Sequence, residues 1–509
     1  MKSIFKFRNL LLALAILLFF QARTQVNNDF QSLDQYISEG TELFDMPGMA
    51  IGIIKNGEVI FSKGYGVRNT ITGEPVTPET IFGIASCTKA FTTAALSTLV
   101  DEGKIGWEDH VIDYYPEFEM YDPYITREMQ VMDLVSHRSG LQTFDGDLLW
   151  YGTDYNREEI VRRIRFRENP YSFRSKYGYQ NVMFIAAGVL IEKVTGMTWD
   201  KYLAKKIFEP LQMENTTTTN TGFNNSMKIA YPHLDGKPME FINYDNSGPA
   251  ASINTSVDDL LQWVNLMLNK GKIEDGEVFS DKQYFILTAP HTIIGAGKAE
   301  KPGGTHFRSY GLGWFMFDYQ GRKILEHGGG LPGFHSKVVF IPEDSVGYVI
   351  LANQLSGLVE AVYKKTLDFL VQVENGQDWV KIYYDWEQNQ KKQDEQKNVE
   401  KEKARIPNTL PSLELKSYTG VYEDKMYGQA KVELIGSQLK LTLLPTQELF
   451  TSNMDHWHLD TFRLKFNDPF LPAGYITFQI DQDAVPQTFT IELDNPDFHF
   501  YKLKFERVQ

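Results

Sequence analysis

The chain has 509 residues, 42% of them apolar and 23% charged, close to globular averages, so it can bury a sizeable core and is neither wholly disordered nor a polytopic membrane protein. Its 51 Lys+Arg against 66 Asp+Glu leave a net charge of −15 without clustered cations for phosphate neutralisation, which disfavours a nucleic-acid-binding surface. A single cysteine, Cys87, excludes an intrachain disulfide framework and any Cys-rich zinc or iron–sulfur site.

At the N-terminus Lys2, Lys6 and Arg8 precede an eleven-residue apolar run, Leu10 to Phe20. A basic start with a short apolar stretch reads as a secretory signal over residues 1–25, shorter than the ~20 residues of a spanning helix. The expectation is a periplasmic or secreted chain, with an uncleaved anchor as the alternative. Next, Met49–Ile54 and Val59–Tyr65 flank Lys55-Asn56-Gly57-Glu58, a strong hairpin signal. A strand-like run at Ile81–Ile84 gives way to a helix over Cys87–Glu102, and further helices are predicted over Val182–Thr195 and Ser256–Asn269. Thr255-Ser256-Val257-Asp258 reads as a capping box for the last of these. Trp314–Tyr319 and Lys323–Glu326 bracket Gln320-Gly321, and Lys337–Ile341 with Gly347–Ala352 surround Pro342-Glu343-Asp344-Ser345, predicting two more hairpins. Hairpins at both ends with helices between predict one α+β domain over 26–375, its antiparallel sheet joining both ends of the segment. Gln388 to Arg405 is almost wholly polar and charged, a solvated helix or linker within 376–411. Over 412–509 short β-prone runs (Lys431–Ile435, Gln438–Leu443, Thr461–Phe466, Tyr475–Ile480, Thr488–Leu493, Phe498–Phe505) predict a small antiparallel barrel or sandwich. The length allows about three domains at roughly 150 residues each; the patterning resolves two folded units.

Three clusters carry chemistry. Ser86-Cys87-Thr88-Lys89 stands where strand gives way to helix, and residues at i and i+3 share a helix face, so hydroxyl and amine can meet. Serine needs a proton acceptor to become a nucleophile. A lysine becomes one only if burial or nearby cations bring its pKa down from near 10.4. The helix start adds a positive end that favours an anionic intermediate. Tyr179-Gln180-Asn181 precedes a second helix: a phenol beside a lysine can shuttle a proton, and an amide can orient that lysine and bind a substrate carbonyl. His327-Gly328-Gly329-Gly330 ends a strand whose glycines let a substrate lie along the edge and free N–H groups for an oxyanion. Taken singly, each cluster has an ordinary structural reading: a capped helix with a surface lysine, a core tyrosine with an N-cap, a strand-end histidine.

In the order Ser-x-x-Lys, Tyr-x-Asn, His-x-Gly, the three resemble the class C-like branch of the serine β-lactamase-like superfamily, which holds β-lactamases, D-alanyl-D-alanine carboxypeptidases, D-aminopeptidases and esterases. Gly64-Tyr65-Gly66, Ser136-His137-Arg138-Ser139-Gly140-Leu141 and Tyr310-Gly311-Leu312-Gly313-Trp314 support the resemblance over about Phe30 to Asn375. It implies a β-lactamase/transpeptidase-like domain, an antiparallel sheet flanked by helices plus an all-helical region. The terminal barrel resembles the lipocalin-like domain appended to some members, including peptidases assembled into closed oligomers, so a homo-oligomer is an expectation.

The resemblance implies acyl transfer through a covalent ester on Ser86, with Lys89 and Tyr179 handling protons. Asn181, His327, Gly329 and Gly330 would face substrate, the N–H groups of Ser86 and Gly330 would form the oxyanion hole, and no metal or organic cofactor would be needed. One departure matters. The branch usually has a lysine on this strand to meet a substrate carboxylate; here His327 is mostly neutral near pH 7 at its reference pKa of ~6.5. That favours small peptides, amides or esters over penicillins. A β-lactamase or D-alanyl-D-alanine carboxypeptidase is the alternative, and a non-hydrolytic penicillin-recognising protein the alternative of another class. Cys87 at i+1 points ~100° from Ser86 and reads as a packed residue. His137 reads as structural, and Glu158, Glu159, Asp258 and Asp259 as helix-terminal or surface charges. There is no G-x-S-x-G elbow, H-E-x-x-H or P-loop motif.

Overall fold

A computed structural model describes residues 30–224, 226–295, 304–374 and 376–508. The expected signal over 1–25 lies outside them. Among the described residues no single helix is long and apolar enough to cross a membrane.

A helix over residues 30–43 leads into β1 (Gly48–Lys55) and β2 (Glu58–Gly66), joined through Asn56 and Gly57, both at positive φ as the Asn-Gly signal requires. Six more strands return near residue 290: β3 (Thr292–Ile294), β4 (Arg308–Tyr310), β5 (Phe315–Tyr319), β6 (Arg322–Leu331), β7 (Phe334–Ile341) and β8 (Val346–Ala352). The antiparallel order β2-β1-β8-β7-β6-β5-β4-β3 closes the two ends of the segment on each other, with Ile51 opposite Ile350. All three predicted hairpins form, the Gln320-Gly321 turn again at positive φ.

Between β2 and β3 lie the helices that carry the site. Helix α1 (Thr88–Asp101) and helix α2 (Asn181–Thr195) are buried on every side over most of their length, which is why both read as apolar runs without an amphipathic period. Helix α3 (Val257–Leu268) packs on β1 and β8, where Gly52 and Gly347 leave room for Val257, Leu261 and Val264. Its cap is Ser256, whose Oγ accepts from the Asp259 N–H at 3.2 Å, one residue later than the Thr255 box predicted. The strand expected at Ile81–Ile84 is only Phe82–Gly83, paired with Asn254–Thr255, because the chain must turn at once to deliver Ser86.

Helix α4 (Gly357–Leu370) covers the other sheet face, and α5 (Trp379–Ala404) is the charged segment, a helix exposed along nearly all its length. The C-terminal region is a closed barrel of eight antiparallel strands: β9 (Gly420–Asp424), β10 (Gly428–Ile435), β11 (Gln438–Leu443), β12 (Thr451–His458), β13 (Thr461–Leu464), β14 (Gly474–Ile480), β15 (Pro486–Leu493) and β16 (Phe505–Arg507). Sequence reading omitted β9 and β12. In β12 Ser452 and Met454 are buried in alternation, but a bulge near His456 inserts Trp457, buried against Arg405 and Tyr475, which breaks the period of two. It also placed a strand over Phe498–Phe505, where the chain makes a 3-10 turn at Phe500–Lys502 and pairs only from Phe505.

Candidate active site

The turn before α1 sets the geometry. Ala85 adopts a left-handed conformation (φ 48°), unusual for a residue with a Cβ, and swings the chain from the short strand into the 3-10 turn Ala85–Cys87 that continues as α1. Ser86 is left half-buried at the floor of a cavity of about 460 Å³. One turn on, Lys89 is fully buried; its Nζ donates to Ser86 Oγ at 3.0 Å, to Asn181 Oδ1 at 2.6 Å and to the Ala250 carbonyl at 3.0 Å. Burial brings its pKa down to about 7, while nearby Asp147 pulls the other way. The condition the Ser-x-x-Lys motif needed is therefore met by desolvation.

Asn181 is the first residue of α2, so its amide stands at the helix mouth, accepting from Lys89 and donating from Nδ2 to Asp147 Oδ2 at 2.7 Å. Tyr179 precedes it, its ring 4.7 Å from Lys89 Nζ. Burial raises the Tyr179 phenol well above its ordinary range, and Ser86 only partly offsets this. Tyr179 therefore rests as a phenol. Its ring is 4.2 Å from His137, which is itself buried and 4.4 Å from Tyr310. His137 Nδ1 accepts from the Gln180 N–H at 3.0 Å, so it fixes the Tyr179–Asn181 backbone, the structural part expected of it.

His327 lines the cavity, yet both ring nitrogens are engaged. Nδ1 lies 2.6 Å from the Gly328 carbonyl, which makes it the protonated nitrogen, and Nε2 accepts from the Tyr310 hydroxyl at 3.1 Å. Burial, with Lys89 adding to it, lowers its pKa to about 3. It is a neutral ring without a spare donor. Gly329, expected to face substrate, is buried and turned inward: a Cβ there would lie 2.2 Å from the Ile84 carbonyl oxygen and 3.0 Å from the Ala85 Cβ. Its smallness lets β6 press against the turn that holds Ser86. Gly330 is exposed and does line the cavity, and β5 pairs with β6 only as far as Glu326, leaving that edge of Gly328–Gly330 unpaired with β5.

Cys87 packs away from the cavity, its Sγ 3.2 Å from the His327 carbonyl and 3.3 Å from Ser336 Oγ, and burial pushes its thiol up to about 12. The carboxylates set aside earlier stay outside the site: Glu159 pairs with Arg162 and Arg163, Glu158 with Lys193, and Asp259 accepts from Asn215 and Thr216. Sequence reading missed Asp147, Tyr310, Lys337 and the barrel residues Phe470, Asp497 and Phe498, all at the cavity or its wall. Tyr310 stood inside a quoted phrase and could have been singled out; the others carry no local pattern. Among the described residues no three His, Cys, Asp or Glu side chains are grouped to hold a metal ion.

The family model described as Beta-lactamase matches residues 33–373. The chain belongs to the beta-lactamase family. A domain of unknown function (DUF3471) matches residues 404–507, the barrel. Unguisins hydrolase ungD' of Aspergillus campestris is 27% identical over 488 residues, covering 90% of this chain and 88% of its own. Protein flp of Staphylococcus aureus strain N315 is 28% identical over 342 residues, covering 65% of this chain and 64% of its own. The solved structure of the octameric penicillin-binding protein homologue from Pyrococcus abyssi is 22% identical, with a TM-score of 0.61 over 94% of this chain and 99% of that one, a likeness of fold. Beta-lactamase-family membership, with hydrolase-named relatives, makes the chain a serine hydrolase.

Proposed function

We propose that the chain is an exported hydrolase that forms an acyl-enzyme on Ser86 and cleaves small peptides, amides or esters. The observation that carries this reading is the buried Lys89 amine 3.0 Å from Ser86 Oγ, with its pKa brought down to about 7. In the neutral form the amine accepts the Ser86 proton as Oγ attacks a carbonyl. The Ser86 and Gly330 N–H groups stabilise the oxyanion, where one lost donor costs about 3–4 kcal/mol of activation free energy. Tyr179, a phenol at rest, passes a proton to the leaving group and recovers one from the water that releases the acyl group. Asn181 holds Lys89 and the substrate carbonyl. The neutral, fully bonded His327 supports peptide, amide or ester substrates over β-lactams, since nothing at its position offers a charge to a carboxylate. Export rests on the basic and apolar pattern of residues 1–25, and assembly into homo-oligomers on the octameric neighbour.

Labelling with a fluorophosphonate, read beside a hydrolysis panel of D- and L-aminoacyl amides, D-Ala-D-Ala peptides, short esters and nitrocefin, tests the reading. The expected result is labelling and turnover of amides or esters, both lost in Ser86→Ala. Labelling that persists in Ser86→Ala refutes the nucleophile, efficient nitrocefin turnover refutes the substrate class, and binding of a fluorescent penicillin without turnover of any substrate assigns a recognition protein.

A further inference from the structure

The barrel reaches the catalytic cavity. Phe470, Asp497 and Phe498 line it together with Ser86, Tyr179 and Asn181. The segment bearing Asp497 is pinned on both sides. Asn495 Oδ1 accepts from the backbone N–H groups of Asp497 and Phe498 at 2.9 and 3.0 Å, and His499 and Lys502 bind Asp145 at 3.2 and 2.5 Å. The Phe498 ring lies 4.3 Å from Tyr151. Thus held, the Asp497 carboxylate makes no hydrogen bond or ion pair among the described residues.

A second carboxyl lines the same cavity. Asp147 is buried; its Oδ2 accepts from Asn181, while among the described residues its Oδ1 has no well-formed hydrogen bond and only the Trp150 indole N–H acts on the carboxyl as a further donor. Asp497 acts on it as a like charge, and burial raises both carboxyls above their ordinary range. Neither the cavity's lysines nor its arginine pairs with Asp497. Lys337 is bonded to Glu326 at 3.1 Å and Glu360 at 2.9 Å, Arg308 lies 4.0 Å from Glu326, and Lys89 serves Ser86 and Asn181. Among the described residues Asp497 is thus a cavity acid with neither hydrogen bond nor ion pair, and only the His499 ring, itself on Asp145, acts on it favourably. A half-buried carboxylate without a partner is costly, and a cation brought by the ligand relieves that cost. The surrounding rings of Trp150, Tyr151, Phe470 and Phe498 add a wall that favours a cation over an anion.

We propose that Asp497 and Asp147, walled by these four rings, form a subsite for a primary ammonium on the acyl part of the substrate, so that the barrel supplies the specificity of the catalytic cavity. This rests on the reading that Ser86 forms the acyl-enzyme and narrows its substrates to amine-bearing amides and esters.

The test compares full-length wild type and Asp497→Asn on D- and L-alanine benzyl esters, their N-acetyl counterparts and an Nα-acetyl-lysine benzyl ester, with fluorophosphonate labelling of Ser86 read in parallel. The wild type is expected to favour an amine-bearing ester over the N-acetylalanine esters by at least tenfold in kcat/KM. Asp497→Asn is expected to lose at least tenfold of that ratio, chiefly through KM, while Ser86 is still labelled. Preference for the alanine esters places the ammonium on the α-carbon, preference for the lysine ester on a side chain, and either supports the subsite. Asp494→Asn, an exposed acid on the same loop, should keep the wild-type ratio. A wild type indifferent to acetylation, or a preference that survives Asp497→Asn, overturns the subsite. Absence of labelling in the wild type instead overturns the acyl-enzyme reading beneath it.

Discussion

Lys89 and Asp147 divide one proton problem between them. Burial drives both toward the neutral amine and neutral acid, while their mutual attraction pulls toward the ion pair. Only a deprotonated Lys89 can take the Ser86 proton, so kcat/KM should rise with pH along a limb near 7, a value set chiefly by desolvation. Asp147 holds Lys89 somewhat higher than burial alone would, so Asp147→Asn should move that limb to lower pH. Its Asn181 contact stays available to the new amide oxygen. A pH profile on a neutral ester measures this, and a limb displaced upward in the variant would show that Asp147 does not act on Lys89 as a charge. Lys89→Ala should lower acylation by at least 10²-fold, the usual scale of general-base removal, in single-turnover measurements with Ser86 still present.

The site is built where three elements end: the turn into α1, the start of α2 and the free edge of β6. Their meeting depends on close approach, and Gly329 is the test of it. A methyl at 329 would collide with the Ile84 carbonyl oxygen, a backbone atom that cannot rotate away. Gly329→Ala should therefore push β6 from the Ser86 turn and cost about 1–3 kcal/mol of stability, as overpacking does, with acylation falling more steeply than stability. Urea melts beside single-turnover acylation rates separate the two, and a variant that acylates like the wild type would show the contact to be slack. The sequence made the motif-bearing elements legible because their signals are local: Asn56-Gly57 fixes a turn by φ, and Ser86 and Lys89 meet within one helical turn. It could not show Asp147 beside Asn181 or Lys337 beneath Gly328, because those contacts join residues 34 apart in one case and neighbouring strands in the other. Gly329 illustrates the same limit, since a glycine run marks a tight place without saying which glycine faces substrate.

At the scale of the molecule, the two folded units share one core. Leu149, Trp150 and Tyr151 belong to the same apolar cluster as Tyr418, Phe450 and Phe498 of the barrel, and Tyr151 donates to Asp468 at 2.8 Å. Such a junction couples the barrel's stability to the shape of the catalytic cavity. The polar clamp within it is Asp145, buried and met by Arg167 at 3.1 Å, His499 at 3.2 Å and Lys502 at 2.5 Å. Burial alone would raise its pKa, but these three partners hold it below the ordinary carboxylate value. A folded-state pKa below the unfolded one contributes stability that is present above the unfolded value and lost as pH falls through the folded one. The clamp should thus hold at neutral pH and weaken below about pH 4, the usual unfolded carboxylate range. Asp145→Ala strands two cations, Arg167 and Lys502, and the His499 ring at a buried junction. It should cost about 3 kcal/mol, the lower end for a broken buried pair because Arg167 and Lys502 keep some contact with water. In urea unfolding followed from pH 7 to pH 3, the wild type should lose stability toward acid more steeply than Asp145→Ala, and the two should converge. Equal midpoints at pH 7 would show that the apolar contacts alone join the barrel to the catalytic unit.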